Sequence, residues 1–478
     1  MRKFLAIVTP LVILAGCGGS GTTSTTPPPP PPPPTTQVIA PPGPPNVESL
    51  VVDSGPGALT TPAINTAFVT VTVCIHGTNT CQNIDHIEVD TGSSGLRIVT
   101  GASIVDANGN PAGAFNLALG PVHDPNNLNN VLAECLQFAD GFSWGSVNTA
   151  DIKLPVSGET ATGVTVQMIG AASAGDPSKA NPTCIPPPPI NANACHGLEN
   201  TVPCFGANGI LGVGPFVNDC STNFPCDPGN PATITSGGVT FPSKSATYYT
   251  CTAAASCKEV AVGTVTPDLQ LPNPAVLFAT DKNGVIIELP ALGDTGEAAP
   301  VTGSLVFGIG TRGNNALGSA TKLLMCTGDT TAGNCGITLQ GKLVALAGTI
   351  SASLNGTNYR ESYLDSGSNA NFFPTTSIPS CSAPNQGFLC PTSTTNESAT
   401  LTGTDGTTAT ANFSVANANS LFQQNNAMNF AFSNLGGSNY SSTLQNSTLD
   451  LGLSFFFGHN VFTGFENLSS NTAPYFAY

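Results

Sequence analysis

Hydrophobic positions along the chain fall into short runs of β-branched and aromatic residues, separated by clusters of Gly, Asn, Asp and Pro. Segments with a helical period of 3.6 residues are scarce, and short runs bounded by turn-forming residues are typical of strands. The pattern therefore predicts an all-β fold with large loops. The clearest predicted strands are 68–75, 84–89, 164–169, 285–289, 304–309 and 343–354.

The start of the chain has the pattern of an export signal. Arg2 and Lys3 precede an apolar stretch, 4–15, which is too short to span a bilayer of about 30 Å. Residues 14–17, Leu-Ala-Gly-Cys, resemble the bacterial lipobox, in which the cysteine is lipidated and becomes the first residue of the mature protein. The resemblance implies a signal peptide over 1–16 and a lipid anchor at Cys17. We therefore expect an exported bacterial lipoprotein, anchored in a membrane, at the outer membrane or cell surface.

A spacer is predicted between this anchor and the folded part of the chain. A stretch of Gly, Ser and Thr follows Cys17, and eight consecutive prolines occupy 27–34. Such a run adopts polyproline II at about 3.1 Å per residue and is semi-rigid. Residues 17–44 are thus predicted to be a linker, with partner binding by the proline run as the alternative.

Charge excludes one class of partner. The chain has 478 residues, of which 12 are Lys or Arg and 28 are Asp or Glu, for a formal net charge of −16. Too few cations remain to neutralise phosphates, so nucleic-acid binding is not expected. With 40% hydrophobic residues, the chain can nevertheless bury a core.

Fourteen cysteines remain when Cys17 is set aside, enough for seven disulfides in an oxidising compartment. Those that lie close in sequence are predicted to pair as Cys74–Cys81, Cys220–Cys226, Cys251–Cys257, Cys326–Cys335 and Cys381–Cys390. The sequence does not pair Cys135, Cys184, Cys195 and Cys204, of which the last three lie in a predicted surface insertion over 172–204. No Cys-x-x-Cys occurs and the histidines are scattered, so no metal and no cofactor is expected.

The tripeptide Asp-(Ser/Thr)-Gly occurs four times, starting at Asp53, Asp90, Asp294 and Asp365. Only the motifs at Asp90 and Asp365 continue with a serine and follow apolar residues, which places each aspartate at the end of a buried strand. We interpret Asp53 and Asp294 as turn residues. Asp90 and Asp365 are the candidate catalytic pair.

The chemistry of a paired motif follows from its residue types. A carboxylate followed by a hydroxyl and a glycine forms a tight loop in which N–H groups and hydroxyls hold the carboxyl. Two such loops that face each other bring like charges together, so that one proton is shared. One aspartate is then a general base toward water and the other an acid toward a carbonyl oxygen, which hydrolyses amides. The predicted supporting residues are Thr91, Gly92, Ser93, Ser366, Gly367 and Ser368.

These motifs resemble those of the pepsin-like aspartic proteases, in which an apolar-apolar-Gly strand also runs beneath each catalytic loop. Ile210-Leu211-Gly212 matches this pattern in the first half of the chain. Leu451-Gly452 is the counterpart in the second half.

The second of these strands departs from the pattern, because Asp450 stands where an apolar residue is usual. The resemblance implies a bilobed double β-barrel with an active-site cleft between an N-terminal lobe, 45–300, and a C-terminal lobe, 301–478. It further implies a monomer that binds a peptide or protein substrate in the cleft.

The segment from Phe138 resembles the flap that closes over substrate in these proteases. Asp140 and Gly141 match the flap, but Phe138 stands where the family has a tyrosine and cannot donate a hydroxyl hydrogen bond. Trp144 could offer its indole N–H instead. The alternative is that Phe138 and Trp144 are packed hairpin residues.

A narrower resemblance joins the segments 89–96, 307–311, 314–315, 452–457 and 461–462 to an uncharacterised family of bacterial exported lipoproteins, known only as a domain of unknown function. Two functions stay open: an aspartic endopeptidase that cleaves in acid, and a catalytically inactive surface binding or adhesion protein on the same scaffold. The two aspartates and their hydroxyl followers favour the enzyme. The missing flap tyrosine and Asp450 favour the binding protein.

Overall fold

Strands make up nearly all the regular structure, which confirms the predicted all-β class. The computed structural model describes residues 37–478 except for 58, 60, 101–102, 106–110, 116, 139–140, 177–179, 181–183, 185–196, 221–234, 237–238, 241–246, 254–255, 261–264, 328–336, 340–341, 345–346, 424–428, 439–447 and 471. The strands in these ranges are numbered β1 to β30 in chain order. The signal peptide, Cys17 and the proline run lie outside them.

The helices of the described ranges are short. They are α1 (Val202–Phe205), α2 (Ala418–Phe422) and α3 (Leu453–Phe456), with 3₁₀ turns at Ala172–Ala174 and Pro274–Leu277. None of them has the length and apolar character needed to cross a bilayer.

Six strands from the first half of the chain close into a barrel. They are β2 (Ala67–Ile75), β3 (Cys81–Asp90), β4 (Ser94–Val99), β10 (Phe142–Lys153), β11 (Thr160–Ile169) and β12 (Gly209–Val213). The pairings run β2–β3–β12–β4–β11–β10 and return to β2. Pairs β3–β12 and β4–β11 are parallel and the others antiparallel. Closure leaves these strands without a free edge.

Eleven further strands extend the barrel into a larger sheet. They are β1 (Val47–Val52), β7 (Gly120–Pro121), β8 (His123–Asp124), β9 (Asn127–Gln137), β15 (Tyr248–Cys251), β16 (Cys257–Glu259), β17 (Gly284–Glu288), β18 (Val301–Phe307), β19 (Lys322–Leu324), β29 (Asn460–Gly464) and β30 (Tyr475–Ala477). Strand β18 pairs with β1 and β17, and β17 pairs with β29. Residues from both ends of the described chain therefore share one sheet.

A second sheet of seven strands is formed by the second half of the chain. Its order is β26-β25-β22-β23-β28-β24-β27, with bounds β22 (Ile350–Leu354), β23 (Thr357–Leu364), β24 (Asn371–Phe372), β25 (Thr395–Thr402), β26 (Thr408–Val415), β27 (Gly436–Gly437) and β28 (Asp450–Leu451). Three two-stranded ladders complete the strands: β5 (Ser103–Val105) with β6 (Pro111–Ala114), β13 (Thr235–Ser236) with β14 (Val239–Thr240), and β20 (Ile337–Leu339) with β21 (Lys342–Val344).

The main core joins barrel strands to strands of the second sheet. In β22 the apolar residues alternate with half-buried serines, the pattern of a strand with one face on the core. Strands β4 and β12 are instead buried along their whole length, between neighbours on both faces. Burying one Val, Leu or Ile side chain contributes about 1.5–3 kcal/mol, so these strands anchor the loops that follow or precede them.

Three of the five predicted local disulfides are present in the described residues: Cys74–Cys81, Cys251–Cys257 and Cys381–Cys390. A bridge between Cys135 and Cys184, which the sequence did not pair, ties β9 to the predicted insertion. Cys204, Cys220 and Cys326 are also disulfide-bonded. Cys195, Cys226 and Cys335 lie outside the described residues.

The end of the predicted linker lies against the large sheet. The Gln37 side-chain amide donates to the carbonyl oxygens of Leu289 and His459 at 2.8 and 2.9 Å. The Ala40 N–H donates to the Glu288 carboxylate at 2.6 Å. Residues 37–40 are therefore held by hydrogen bonds to the folded part of the chain.

Candidate active site

The two candidate aspartates occupy matching positions at strand ends. Asp90 is the last residue of β3, and Asp365 directly follows β23. The residues before them, Val89 and Leu364, are at most 1% exposed. Burial of these apolar residues fixes where each strand ends and where each loop begins.

The loops after the two aspartates interlock through reciprocal hydrogen bonds. The Thr91 N–H donates to Ser366 Oγ at 3.1 Å, and the Ser366 N–H donates to Thr91 Oγ1 at 2.9 Å. Each hydroxyl then donates onward to the strand of the other half, Thr91 to the Leu364 carbonyl at 3.3 Å and Ser366 to the Val89 carbonyl at 2.7 Å. Both hydroxyls are buried. The arrangement has the symmetry of an approximate twofold axis between the loops.

Each carboxyl is held by its own loop in the same way. The Gly92 N–H donates to Asp90 Oδ1 at 2.6 Å, and the Gly367 N–H donates to Asp365 Oδ1 at 2.9 Å. The outer oxygens accept from the next hydroxyl along the chain. Ser93 donates to Asp90 Oδ2, and Ser368 lies 3.1 Å from Asp365 Oδ2. All six predicted supporting residues are thus brought together at the two aspartates.

The glycines allow the two carboxyls to approach each other. A Cβ added to Gly92 would lie 2.8 Å from the carboxyl oxygens of Asp365, and one added to Gly367 would lie 2.6 Å from Asp90 Oδ1. No side chain fits at either position. Each aspartate therefore lies directly over the loop of the other, while Gly92 between them is exposed to solvent.

Proximity and burial set the protonation of the pair. Burial raises the pKa of Asp365 well above its usual range, and the charges of Asp90 and then of Asp450 raise it further. A proton held by the pair is therefore favoured on Asp365. No ion pair within the described part of the chain involves either aspartate.

The first predicted strand beneath the loops is β12. Leu211 and Gly212 lie parallel to Val89 and Asp90 of β3. A Cβ on Gly212 would lie 2.8 Å from backbone atoms of Ser93, so this glycine lets β12 pass directly under the Asp90 loop. Ile210 and Leu211 are buried.

The second strand beneath the loops, β28, repeats this arrangement. Asp450 and Leu451 lie parallel to Tyr363 and Leu364 of β23. A Cβ on Gly452 would clash with backbone atoms of Ser368 and Ala370. Leu451 is fully buried, and Asp450 is 5% exposed.

Asp450 is a third carboxyl at the site, and sequence reasoning treated it only as a departure from an apolar pattern. Its Oδ2 lies 2.6 Å from Ser368 Oγ, and its Oδ1 has no hydrogen-bond partner among the described residues. Burial and the charge of Asp90 raise its pKa to about 8, against a lowering by the Ser368 hydrogen bond. An aspartate within a buried Leu-Asp-Leu-Gly strand was the signal in the sequence.

The predicted flap residues lie on the β9–β10 hairpin. Phe138 is half-buried, with its ring edge-to-face on Phe205 at 5.9 Å between centroids. Its N–H donates to the Gly141 carbonyl at 2.8 Å, which closes the hairpin. A Cβ on Gly141 would meet the Gly197 carbonyl at 2.6 Å. Asp140 lies outside the described residues.

Trp144 is a packed residue of this hairpin. It is 2% exposed, and its indole N–H lies 3.1 Å from the carbonyl oxygens of both Ala174 and Gly175. Its ring packs edge-to-face on Tyr249, 5.0 Å between centroids. The indole N–H therefore donates to the protein backbone and is not open to a ligand. This arrangement corresponds to the second role predicted from the sequence, that of a packed hairpin residue.

Sequence reasoning missed a buried ion pair that supports the Asp90 loop. Arg97 of β4 and Glu134 of β9 are fully buried and joined by two hydrogen bonds of 2.6 and 3.1 Å. Arg97 also donates to the Ser94 carbonyl at 2.9 Å, directly after the loop. A lone arginine in an apolar strand, next to the Asp90 motif, was the available signal.

The arrangement is that of an all-β protein in which two strand-end carboxyls from different halves of the chain lie over each other's loops. Within the described ranges, no group of His, Cys, Asp and Glu side chains has a metal-binding arrangement. The family model described as "Protein of unknown function (DUF3443)" matches residues 42–478, and the chain belongs to this family. A comparison with curated proteins gave no match. The predicted resemblance to a domain of unknown function is thus confirmed.

Proposed function

We propose that this protein is an aspartic endopeptidase that hydrolyses peptide bonds with Asp90 and Asp365. The observation that supports it most is the reciprocal hydrogen bonding of Thr91 and Ser366, which holds two carboxyls from separate loops over each other. A structural pair of carboxyls gains nothing from such contact, because their like charges repel. A pair that must share one proton requires it.

The proposed reaction begins with the proton of the pair on Asp365 and uses Asp90 as the base. Asp90 takes a proton from a bound water, whose oxygen attacks the peptide carbonyl carbon, while Asp365 gives its proton to the carbonyl oxygen. The resulting gem-diol is neutral. Its C–N bond then breaks as the nitrogen accepts the proton from Asp90, and a diol hydroxyl returns a proton to Asp365. Both aspartates end in the state in which they began.

The same proposal includes the bilobed pepsin-like fold. In it, the barrel of the first half and the seven-stranded sheet of the second half each supply one aspartate loop and one underlying strand. The lobes would comprise 45–300 and 301–478, with a peptide or protein substrate bound between them by a monomer.

Cell-surface attachment is a further part of the proposal. A lipid on Cys17, a linker to residue 44 and export through the signal peptide 1–16 would place the enzyme at the outer membrane or cell surface. Labelling with a radioactive or alkyne-tagged fatty acid tests this, with Cys17→Ala as the variant that loses the label.

The second candidate function is binding without turnover on the same scaffold. Phe138 favours it, because its side chain has no hydroxyl to donate to a substrate. Asp450 favours it as well, because it adds a third carboxyl to a pair that must manage one shared proton.

The deciding experiment is digestion of a denatured protein by the purified full chain between pH 3 and pH 7, with fragments identified by mass spectrometry. Asp90→Asn removes the base, and we expect cleavage to fall by at least about a hundredfold. Asp294→Asn is the matched control, because it changes an exposed aspartate with the same tripeptide context. Cleavage that is absent, or equal in the wild type and Asp90→Asn, supports the binding protein instead.

A further inference from the structure

The hydroxyl of Ser368 lies between two carboxyls. Its Oγ is 3.1 Å from Asp365 Oδ2 and 2.6 Å from Asp450 Oδ2. A serine hydroxyl has a single hydrogen and can accept through its lone pairs. If Ser368 donates to Asp365, the shorter contact must be a donation from Asp450 to Ser368, and Asp450 must carry a proton.

The surroundings of Asp450 favour that proton. The side chain is 5% exposed, and Oδ1 has no partner among the described residues. An ionised carboxylate in this position would leave a buried charge with one hydrogen bond, which is costly. A neutral carboxyl needs only the contact with Ser368.

The groups that face Asp450 include no cation in the described part of the chain. Asp365 and Asp90 lie on the catalytic loops, and Tyr363 lies opposite Asp450 on β23. Glu361, on the same strand, is near enough to raise the pKa of Tyr363 together with Asp450 and Asp365, after the larger effect of burial. The paired strand β24 contributes Asn371 and Phe372, which do not titrate. The charge of Asp90 therefore opposes a negative charge on Asp450, and none of the other neighbours supplies a positive one.

The first half of the chain lacks this carboxyl. Ile210 precedes Leu211-Gly212 just as Asp450 precedes Leu451-Gly452, and both follow the same parallel register. Ser93 accordingly donates to Asp90 without a competing carboxyl at that position. The loops of the two aspartates are therefore alike, but the strands beneath them differ, with Ile210 on one side and Asp450 on the other.

We infer that Asp450 is a positioning residue whose protonated form directs the Ser368 hydroxyl onto Asp365, and whose ionisation sets the upper pH limit of activity. The consequence for rate rests on the proposed function. In that reaction Asp365 gains negative charge as it releases its proton. When Asp450 ionises, the Ser368 hydrogen turns to it, and Asp365 loses a donor while a second negative charge lies nearby.

The first experiment compares the pH profile of kcat/KM in the wild type, Asp450→Asn and Asp450→Ile. The Asn side chain cannot ionise, and Ile copies the residue at the equivalent position 210. We expect both variants to shift the alkaline limb upward by at least about one pH unit, measured relative to each variant's own acid plateau. Ser368→Ala should lower kcat about tenfold at acid pH, the usual scale for one hydrogen bond to a charged group.

Glu361→Gln is the matched control, since it removes a neighbouring buried carboxyl whose Oε2 accepts from the Thr448 hydroxyl. Its profile should coincide with that of the wild type. An alkaline limb that stays in place in both Asp450 variants overturns the inference.

The second experiment measures carboxyl titration directly and does not depend on enzymatic activity. In protein labelled with carbon-13 at the aspartate carboxyl carbons, the wild type should show a resonance that titrates near pH 8 and is missing from Asp450→Asn. A second resonance, assigned through Asp365→Asn, should move in the same step. If the wild type cleaves nothing but this coupled step is present, the proposed function fails and the Ser368 arrangement stands. If no such step occurs between pH 6 and pH 10, the inference fails whether or not the protein cleaves.

Discussion

At the scale of single residues, the site depends on hydroxyls that accept one hydrogen bond and donate another. Thr91 Oγ1 accepts from the Ser366 N–H and donates to the Leu364 carbonyl, so it joins the two halves of the chain in both directions. Ser366 does the same in return. A side chain of the same shape without oxygen would fill the space and leave both partners unsatisfied.

Thr91→Val therefore tests the interlocked loops. The buried Ser366 N–H loses its acceptor, and we expect the free energy of unfolding to fall by about 1–3 kcal/mol, measured by urea denaturation. Thr78→Val is the control, because the Thr78 hydroxyl donates to a turn carbonyl in an exposed position and should cost under about 0.5 kcal/mol. Equal losses in the two variants would contradict the account.

A second residue-scale prediction concerns His86, buried beside Asp53 and Asp85. Burial alone would lower its pKa, but Asp53 at 3.2 Å and Asp85 at 3.5 Å raise it to about 9 from 6.5. Because the folded pKa is raised, the stabilisation is full below pH 6.5 and is lost as pH rises through about 9. This rise corresponds to about 3 kcal/mol.

Denaturation of His86→Gln at a series of pH values measures that contribution. The stability difference from the wild type should be largest near pH 6 and smallest near pH 10. Asp53 adds a lower pH limit to this stabilisation. Because its pKa in the folded chain is lowered, the contribution of Asp53 to the free energy of unfolding is lost as pH falls below 3.8. The exposed His123→Gln is the control variant. A His86 difference that is flat with pH would refute the ion pair.

At the scale of elements, buried strands position the two aspartate loops. Strand β12 lies between β3 and β4 and passes within contact of the loop that joins them. Gly212 makes this possible, since a Cβ there would press on the backbone of Ser93 and Ser94 at 2.8 Å. The predicted apolar-Gly strand thus has a physical reason in the sequence itself.

Gly212→Ala should therefore displace the Asp90 loop. We expect kcat for peptide hydrolysis to fall at least about tenfold, because small displacements of catalytic groups are costly. Gly120→Ala is the matched control, because nothing lies within 4 Å of a Cβ built there. Wild-type kcat in Gly212→Ala would show that the loop does not depend on this close approach.

Strand positions were predicted better than strand continuity. The run ending at Val89 and the run 304–309 correspond to β3 and β18, because apolar alternation reports burial directly. The single run 343–354 is divided instead between β21 and β22, with Gly348 at a φ of 79° in the turn before β22. Glycine at a left-handed turn has no hydrophobic signature, so the pattern alone could not show the break.

At the scale of the whole molecule, the raised pKa values of buried carboxyls predict that the folded state is more stable at acid pH than at neutral pH. Burial raises the pKa of Glu48, Glu288, Asp365 and Asp450 above their ordinary values. Through these four groups the folded chain binds more protons than the unfolded chain above about pH 4, so their contribution to stability falls as pH rises toward 8. Burial lowers the pKa of His459, which acts in the opposite direction up to about pH 6.5. Three aspartates have lowered pKa values: Asp53, Asp151 and Asp281. Their contributions to stability change with pH only below about pH 4.

Thermal unfolding of the purified protein between pH 4.5 and pH 8 measures this trend. We expect the highest Tm at the acid end and a continuous decline toward pH 8. Asp450→Asn should make the decline shallower, because it removes one of the groups that holds an extra proton. A Tm that increases from pH 4.5 to pH 8 would contradict the assignment of raised carboxyl pKa values.

The candidate site was largely predictable because its logic is local. Each aspartate loop is a contiguous motif, and the two motifs differ from the turns at Asp53 and Asp294 by one following residue. What lies behind the loops was not predictable, since the contacts of Arg97 with Glu134 and of Ser368 with Asp450 join residues 37 and 82 positions apart. The indole contacts of Trp144 depend in the same way on a distant turn.

The most direct test of the central claim is the kcat/KM for a denatured protein substrate at pH 4, measured for the wild type, Asp365→Asn and Asp294→Asn. If Asp365 donates the proton to the peptide carbonyl, the first variant should lose at least about a hundredfold. The second should equal the wild type. Cleavage that survives in Asp365→Asn would show that the two carboxyls do not act as a catalytic pair.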